Sequence, residues 1–142
     1  MFFGTFKHNL DSKNRLVVPS KFRSNLGSSF LYVMKGYDGA LEVYKQETFD
    51  ALIERTNALA YNDPDARAFM RLRLPSVVEI EVDSHGRIAL PTSLVAEYNI
   101  SKDVVVIGLN DHFEIWSLGA WEAYQSEIKG DFEAIAARLP RV

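Results

Sequence analysis

The sequence repeats itself, and this repeat constrains the fold more than any other feature. Asp11–Pro19 reads DSKNRLVVP, and Asp83–Pro91, 72 positions later, reads DSHGRIALP. The same offset aligns further pairs: Gly36 with Gly108, Glu42 with Glu114, Val43 with Ile115, Tyr44 with Trp116 and Phe49 with Trp121. Similarity without gaps over roughly forty positions indicates two copies of one supersecondary unit. Each copy contains a turn with an aspartate and, four residues later, an arginine.

Length and composition are those of a globular protein. A chain of 142 residues suits one domain, or two small units that share a core. With 47% hydrophobic and 25% charged residues, the composition excludes a disordered chain. No apolar run approaches the length of about 20 residues that spans a bilayer, so we expect a soluble cytoplasmic protein without a membrane partner. The absence of cysteine excludes disulfides and thiolate metal sites.

Charge is distributed unevenly along the chain. Residues 1–37 contain six basic residues and one acidic residue, whereas the remainder contains ten basic and eighteen acidic residues. Such asymmetry suggests a face that binds a polyanion. The alternative is a scattered, solvated set of charges with no common partner.

The spacing of apolar and turn residues predicts the same order of elements in both copies. Expected strands cover 2–10, 16–18, 30–35, 41–44, 78–82, 104–107 and 113–116, with Asp38-Gly39 as a hairpin turn. Ser20 is expected to cap a short helix and Asp63 a longer one that ends near Leu74. Further helices are expected over 46–59, near Leu90, around Trp121 and Tyr124, and from Phe132 to Leu139.

These elements define four segments of the chain. They are a first repeat over 5–47, a helical linker over 48–76, a second repeat over 77–119 and C-terminal helices over 120–142. Four short strands cannot bury both faces of a sheet alone. We therefore expect the copies to pack together as an intramolecular pseudo-dimer, with an approximate two-fold axis relating the two turns.

The repeated turn combines residue types that hold a rigid arginine. Asn14 and Gly86 tolerate positive φ, and the aspartate can accept hydrogen bonds from the backbone two residues on. The arginine could simply staple the turn to the aspartate. It could also present a planar donor fork to guanine or phosphate, with Lys13 and His85 as supporting contacts. The duplication and the extra basic residues near the first turn narrowly favour binding.

Other candidate sites are weaker. The three histidines (His8, His85 and His112) lack ligand spacing, so no metal site is expected, and no motif indicates a cofactor or a small-molecule substrate. Glu42 and Glu114 could form an acid–base pair in a hydrolase if they converge, although salt bridges to a partner suit them better. The Arg67, Arg71 and Arg73 group could be a solvated face, a second DNA stripe or, as we favour, a subunit contact.

The chain resembles the MraZ family of bacterial transcriptional regulators over essentially its whole length. The resemblance rests on Gly4-Thr5-Phe6, both Asp-x-x-x-Arg turns, Val18-Pro19, Leu90-Pro91 and the run 107–116. It implies an α+β, β-rich fold in which two AbrB-like repeats form one pseudo-two-fold swapped-hairpin barrel with flanking helices. It also implies homo-oligomeric rings of about eight or more subunits.

The resemblance implies a function as well. Family members bind short direct repeats in promoter DNA upstream of the division and cell-wall gene cluster, so the protein is expected to be nucleoid-associated. The resemblance assigns DNA binding to Asp11, Lys13, Asn14 and Arg15 in the first repeat and, by symmetry, to Asp83, His85 and Arg87 in the second. Lys7, one of the basic residues near the first turn, is also expected to bind DNA. The sequence departs from the family at Asn14, where glycine is common, and at Arg73–Ser76, which replaces a run of small and aromatic residues.

The two turns are expected to have unequal roles. The lysine-rich first turn is expected to be the main DNA reader, whereas the second, beside Glu79 and Glu81, is expected to be mostly architectural. The alternative function is an antitoxin-like module that binds protein rather than DNA.

Overall fold

Two strand-and-helix units of similar layout follow one another along the chain. The computed structural model describes residues 1–128 and 131–140. The first unit comprises β1 (Phe2–Asn9), β2 (Arg15–Val17), α1 (Ser20–Arg23), β3 (Phe30–Lys35), β4 (Leu41–Lys45) and α2 (Gln46–Asn57). The linker contains α3 (Pro64–Arg73) and a 3-10 turn (Leu74–Ser76). The second unit comprises β5 (Val78–Glu81), β6 (Arg87–Ala89), α4 (Thr92–Glu97), β7 (Asp103–Asn110), β8 (His112–Ser117), α5 (Leu118–Ile128) and α6 (Phe132–Arg138).

The strands form two antiparallel sheets to which both units contribute. One sheet has six strands in the order β1-β7-β8-β4-β3-β5, and the other is the pair β2-β6. The units exchange strands, because β1 pairs with β7 and β5 pairs with β3. The mixed α+β class is therefore confirmed, but the expected closed barrel is not observed. The three-residue strands β2 and β6 pair with each other, so in the described residues β1 and β5 remain edge strands.

The pairing register is symmetric about two residue pairs. Glu42 opposes Glu114 within the β4–β8 pairing, and Leu16 opposes Ile88 at the centre of the β2–β6 pairing. Both pairs are related by the 72-residue offset of the repeat. An approximate two-fold axis therefore runs through the middle of both sheets.

The repeat is not free of gaps, contrary to the sequence prediction. Val33 pairs with Val43, and Val106 pairs with Ile115, the counterpart of Val43. Val33 and Val106 are therefore equivalent at an offset of 73. The hairpin of the first unit contains one additional residue between its strands, so the predicted match of Gly36 with Gly108 is wrong in structure.

The main hydrophobic core of the described residues lies between the two sheets. The rings of Phe2, Phe22 and Phe113 meet there, with centroids 5.1 Å apart for Phe2 and Phe22 and 5.3 Å apart for Phe2 and Phe113. Leu16 and Ile88 cover them from the two-stranded sheet, and neither is exposed to solvent. Both units supply these side chains and therefore share this core, while two smaller buried clusters form around Trp116 and around Tyr44.

Helices cover the back face of the large sheet, which is the face opposite this core. Phe49 of α2 stacks on Tyr32 of β3 with centroids 4.1 Å apart. Trp121 of α5 packs edge-on against Trp116 of β8 at 5.2 Å. Since α2 contacts β3 and β4 while α5 contacts β7 and β8, the junction of β4 with β8 lies between the two helices.

Most predicted elements are present, with corrections at their ends. Asp63 caps α3 as expected, since its side chain accepts from the Asp65 amide. Asp38 and Gly39 both have positive φ in the first hairpin turn. The predicted cap Ser20 is wrong, because Pro19 occupies the cap position and no side chain caps α1.

The helices after each repeat begin at Gln46 and Leu118. Residues 129–130 and 141–142 of the predicted C-terminal segment lie outside the described residues. None of the described helices has both the length and the apolar character needed to cross a bilayer.

Candidate nucleic-acid interface

The first Asp-x-x-x-Arg turn connects β1 to β2. Asp11 Oδ1 accepts from the backbone amides of Lys13 and Arg15, both at 2.9 Å. Asp11 Oδ2 accepts from Arg15 Nε at 2.6 Å. Asn14 adopts φ 56°, a left-handed conformation that asparagine tolerates well. One carboxylate therefore fixes both the backbone of the turn and the direction of the arginine.

The second turn, between β5 and β6, has the same construction. Asp83 Oδ1 accepts from the amides of His85 at 2.8 Å and Arg87 at 2.9 Å, and Oδ2 accepts from Arg87 Nε at 2.7 Å. Gly86 adopts φ 74° at the position of Asn14. The hydrogen bonds of the two turns therefore correspond one to one.

The aspartates engage only the inner nitrogen of each arginine. Neither outer guanidinium nitrogen, Nη1 or Nη2, forms a hydrogen bond to the carboxylate in either turn. The side chains of Arg15 and Arg87 are 31% and 29% exposed, so both reach solvent to a similar degree. The hydrogen bond to the aspartate therefore does not prevent each arginine from binding a ligand. It orients the guanidinium group that a nucleic acid would contact.

Both aspartates are held in the ionised form. The Arg87 backbone amide, assisted by its side chain and by the His85 amide, lowers the pKa of Asp83 to about 2. The equivalent bonds, led by the Arg15 backbone amide, lower the pKa of Asp11 below its ordinary value. Hydrogen bonds that favour a carboxylate are the cause in both cases.

The two turns are tied to each other across the approximate two-fold axis. The Val18 amide donates to the Gly86 carbonyl oxygen at 2.9 Å, and the Leu90 amide donates to the Asn14 carbonyl oxygen at 2.9 Å. These bonds continue the β2–β6 pairing at both ends. The two arginines thus stand on one rigid two-stranded platform.

Two basic residues that lie near the turns were not predicted from the sequence as part of the site. The Lys102 carbonyl oxygen accepts from the Leu10 amide at 2.8 Å, which places exposed Lys102 at the base of the first turn. Arg23 covers Gly86, where an added Cβ would lie 2.7 Å from Arg23 Nη1. The repeat could not reveal Arg23 as a neighbour of the second turn, because its counterpart is Val95. The second turn therefore has a basic neighbour of its own.

Lys7 is the one predicted DNA-binding residue that the structure separates from the turns. It opposes Val105 in the β1–β7 pairing, so the two side chains share a face of the sheet. Val105 packs with Trp116 and Leu118 on the back face. Lys7 thus points away from the side of the sheet on which β2 and β6 lie.

The symmetric glutamates also lie on the back face. Val43 and Phe113 of the same strands face the core, so the alternating neighbours Glu42 and Glu114 face the opposite way. Their side chains meet, so separation does not exclude joint acid–base chemistry. Glu42 forms an ion pair with Arg73 of its own chain, which corrects the expected salt bridge to a partner.

The three linker arginines do not form one solvated face. Arg73 is only 9% exposed and lies over the rings of Tyr37 and Phe69. Arg67 Nη1 donates to the Tyr61 carbonyl oxygen at 3.1 Å, whereas Arg71 is exposed. Of the three, Arg73 is thus part of the internal structure.

Fold and site together define a duplicated α+β protein with paired, rigidly presented arginine turns. The family model for the MraZ protein, described as antitoxin-like, matches this chain twice, over residues 1–72 and 76–141. The double match agrees with the internal repeat and covers nearly the whole chain. The chain belongs to the MraZ family.

Curated relatives support the same assignment. A protein of Ligilactobacillus salivarius is 42% identical over 139 residues, which cover 98% of this chain and 96% of the relative. A protein of Desulforamulus reducens is 40% identical over 139 residues, covering 98% of this chain and 97% of the relative. One of Clostridium tetani is 42% identical over 139 residues, with coverage of 98% and 96%. All three bear the name "Transcriptional regulator MraZ".

Proposed function

We propose that this protein is a sequence-specific DNA-binding transcriptional regulator that reads promoter repeats with its two Asp-x-x-x-Arg turns. The observation that carries the proposal is the geometry of Arg15 and Arg87, each held by its Nε with the outer guanidinium nitrogens free of the carboxylate. A planar fork of this kind matches the O6 and N7 acceptors of guanine or the oxygens of a phosphate. The names of the relatives support a role in transcription.

Each residue of the turns has a defined part in this proposal. Arg15 and Arg87 contact bases or phosphates, and Asp11 and Asp83 orient them. Lys13 and His85, both exposed, add contacts to the backbone of the DNA. Asn14 shapes the first turn, while Lys102 and Arg23 extend the basic surface at the two turns. Lys7 is omitted from the contact set because it faces the back of the sheet.

Oligomerisation is part of the proposal. One chain presents two turns that would neutralise only a few phosphates, which gives weak binding. A ring of chains facing consecutive direct repeats would gain affinity through effective concentration. The acidic remainder of the chain would then disfavour indiscriminate coating of DNA. We further propose that the target lies upstream of the division and cell-wall gene cluster, and that the protein acts in the cytoplasm on the nucleoid.

A mobility-shift assay with the DNA upstream of the protein's own gene tests the proposal. Wild type should retard this DNA, with affinity falling steeply as salt increases. Arg15→Ala should lose retardation while retaining the fold and the oligomer, as judged by circular dichroism and native mass spectrometry. Arg55→Ala, an exposed arginine on α2, is the matched control and should bind as wild type.

The alternative function is the antitoxin-like interaction module, and the same experiment separates the two. Such a module would give no retardation at near-physiological salt and would co-purify with a basic protein bound to its acidic surface. A salt-independent shift, or loss of binding in Arg15→Ala only through unfolding, would contradict the role assigned to the turns.

A further inference from the structure

Three metal-ligating side chains converge on the back face at the junction of β4 and β8. Glu42, His112 and Glu114 each offer a ligand atom, and these atoms all lie within 4.8 Å of one another. Glu42 is 4% exposed and the other two are partly buried. The sequence did not predict this cluster, because Glu42 and His112 are distant in the chain. The cluster lies on the opposite side of the sheet from the two turns.

One heteroatom of each side chain is already fixed by a neighbour. Glu42 Oε1 accepts from the Tyr44 hydroxyl at 3.0 Å and from Arg73. Glu114 Oε1 accepts from Trp116 Nε1 at 3.0 Å. Tyr44 and Trp116 are counterparts in the repeat, so the two glutamates are oriented in the same way.

The histidine is fixed in a comparable manner. His112 Nδ1 lies 2.7 Å from Asp111 Oδ1, and its ring stacks on Tyr44 with centroids 4.7 Å apart. In the neutral imidazole, a carboxylate at Nδ1 favours the proton on that nitrogen, which leaves Nε2 as the acceptor. Support of this kind, from a carboxylate behind a histidine, is a recurrent feature of metal sites.

The carboxylates in and around the cluster outnumber the cations that pair with them. Glu42 directly opposes Glu114 in the sheet, an arrangement that is unfavourable for like charges. Asp111 adds a third carboxylate, whereas Arg73 is the cation that pairs with Glu42. A bound cation would relieve this excess.

We propose that Glu42, His112 and Glu114 form a binding site for a divalent first-row transition-metal ion of the Zn²⁺ type. One imidazole nitrogen and two carboxylate oxygens are ligands that Zn²⁺ accepts, at about 2.0–2.2 Å. Mg²⁺ prefers an octahedral shell of oxygens, so the histidine selects against it. Small side-chain rotations would close the cluster around the ion, and Arg73 would remain on the other oxygen of Glu42.

The position of the metal site between the two units determines how a bound ion would affect the protein. Glu42 belongs to the first unit, while His112 and Glu114 belong to the second, so the ion would join the two units at the approximate two-fold axis. Three protein ligands leave one position for water, unlike the four protein ligands of a closed structural site. The ion would therefore stabilise the folded chain without contacting the turns. This inference does not depend on the proposed role in DNA binding.

Calorimetric titration and thermal unfolding of the full chain with Zn²⁺ test the site, with Mg²⁺ for comparison. Zn²⁺ should saturate at one ion per chain and raise the melting temperature, because it binds only the folded state. Mg²⁺ at the same concentration should do neither. His112→Gln and Glu114→Gln should each weaken Zn²⁺ binding tenfold or more.

A matched control separates this site from adventitious binding to histidine. His8→Gln changes a partly buried histidine on β1, outside the cluster, and should bind Zn²⁺ as wild type does. Glu114→Gln keeps an acceptor for Trp116 and removes the opposed charge, so it should fold without metal. Absence of saturable binding to wild type, or unchanged binding to both cluster variants, would overturn the proposal.

Discussion

The backbone amide of Val18 donates to the carbonyl oxygen of Gly86, a residue of the other repeat, at 2.9 Å. This bond and its counterpart from Leu90 to Asn14 make each turn part of the support of the other. Neither arginine can therefore shift independently of the platform formed by β2 and β6. A ligand that contacts one turn meets a second turn at a fixed distance and orientation.

The two turns should contribute comparably to DNA affinity, which revises the expectation of an architectural second turn. The structure gives Arg15 and Arg87 matching bonds and similar exposure. Alanine at either position should cost about 1–3 kcal/mol per site, measured by fluorescence anisotropy on promoter DNA. Wild-type affinity in Arg87→Ala, with a large loss in Arg15→Ala, would restore the asymmetric model.

Replacement of Gly86 by alanine should destabilise the second turn. Its φ of 74° is unfavourable for alanine, and the new Cβ would lie 2.7 Å from Arg23 Nη1. Strain of this kind costs about 1–3 kcal/mol, which urea unfolding can measure. Asn14→Gly, at the equivalent position, is the control and should change stability little. An equal loss in both variants would contradict this explanation.

The turns should remain intact far into the acid range. The pKa of Asp83 is lowered to about 2, so its carboxylate stabilises the fold fully above the ordinary aspartate pKa of 3.8. That contribution is lost as the pH falls through about 2. NMR titration of the Asp83 side-chain carboxyl carbon should show this low midpoint. A midpoint at the ordinary value would mean that the bonds to Arg87 are absent in solution.

Removing an aromatic ring from the core should be far more damaging than removing one from α6. Phe22 is 1% exposed and contacts Phe2 and Phe113, so Phe22→Ala should cost about 3–5 kcal/mol of unfolding free energy. Phe132 is 82% exposed, and Phe132→Ala should change stability by about 0.5 kcal/mol or less. Chemical denaturation of the two variants makes the comparison directly. A large loss in Phe132→Ala would show that α6 is covered in the assembled protein.

The ion pair of Arg73 and Glu42 should show strong coupling. Arg73→Met would leave a buried carboxylate without its cation, at a cost of about 3–5 kcal/mol. The double variant with Glu42→Gln should recover most of this loss, because Tyr44 can still donate to the glutamine oxygen. A double-mutant cycle in urea gives the coupling energy, and additive losses would argue against the pair.

Local chemistry in the sequence was sufficient for most of the fold. The alternation of Phe2 to Leu10, the Asp38-Gly39 pair and the Asp63-Pro64 cap each act within a few residues, and their elements are present. Two features depend instead on which strands pair. One is the exchange of β1 and β5 between the units, and the other is the offset of 73 rather than 72 residues that relates β3 to β7. That choice is made by contacts far apart in the chain.

The same distinction applies to the sites. The aspartate–arginine bonds of each turn span four residues and were predicted correctly from spacing. The burial of Arg73 against Glu42, and the approach of His112 to both glutamates, join residues of separate elements. The repeat gave no indication that His112 belongs to the cluster, because its counterpart in the first unit is Ala40.

The opposition of Glu42 and Glu114 has a consequence for how such a protein can change over time. In a dimer of identical chains, a residue on the symmetry axis must face its own copy, so every substitution there occurs twice. Joining the two units in one chain removes this constraint. Each residue of an opposed pair such as Glu42 and Glu114 can then be substituted alone. The two sides of a surface that once faced its own copy can thereby acquire different residues.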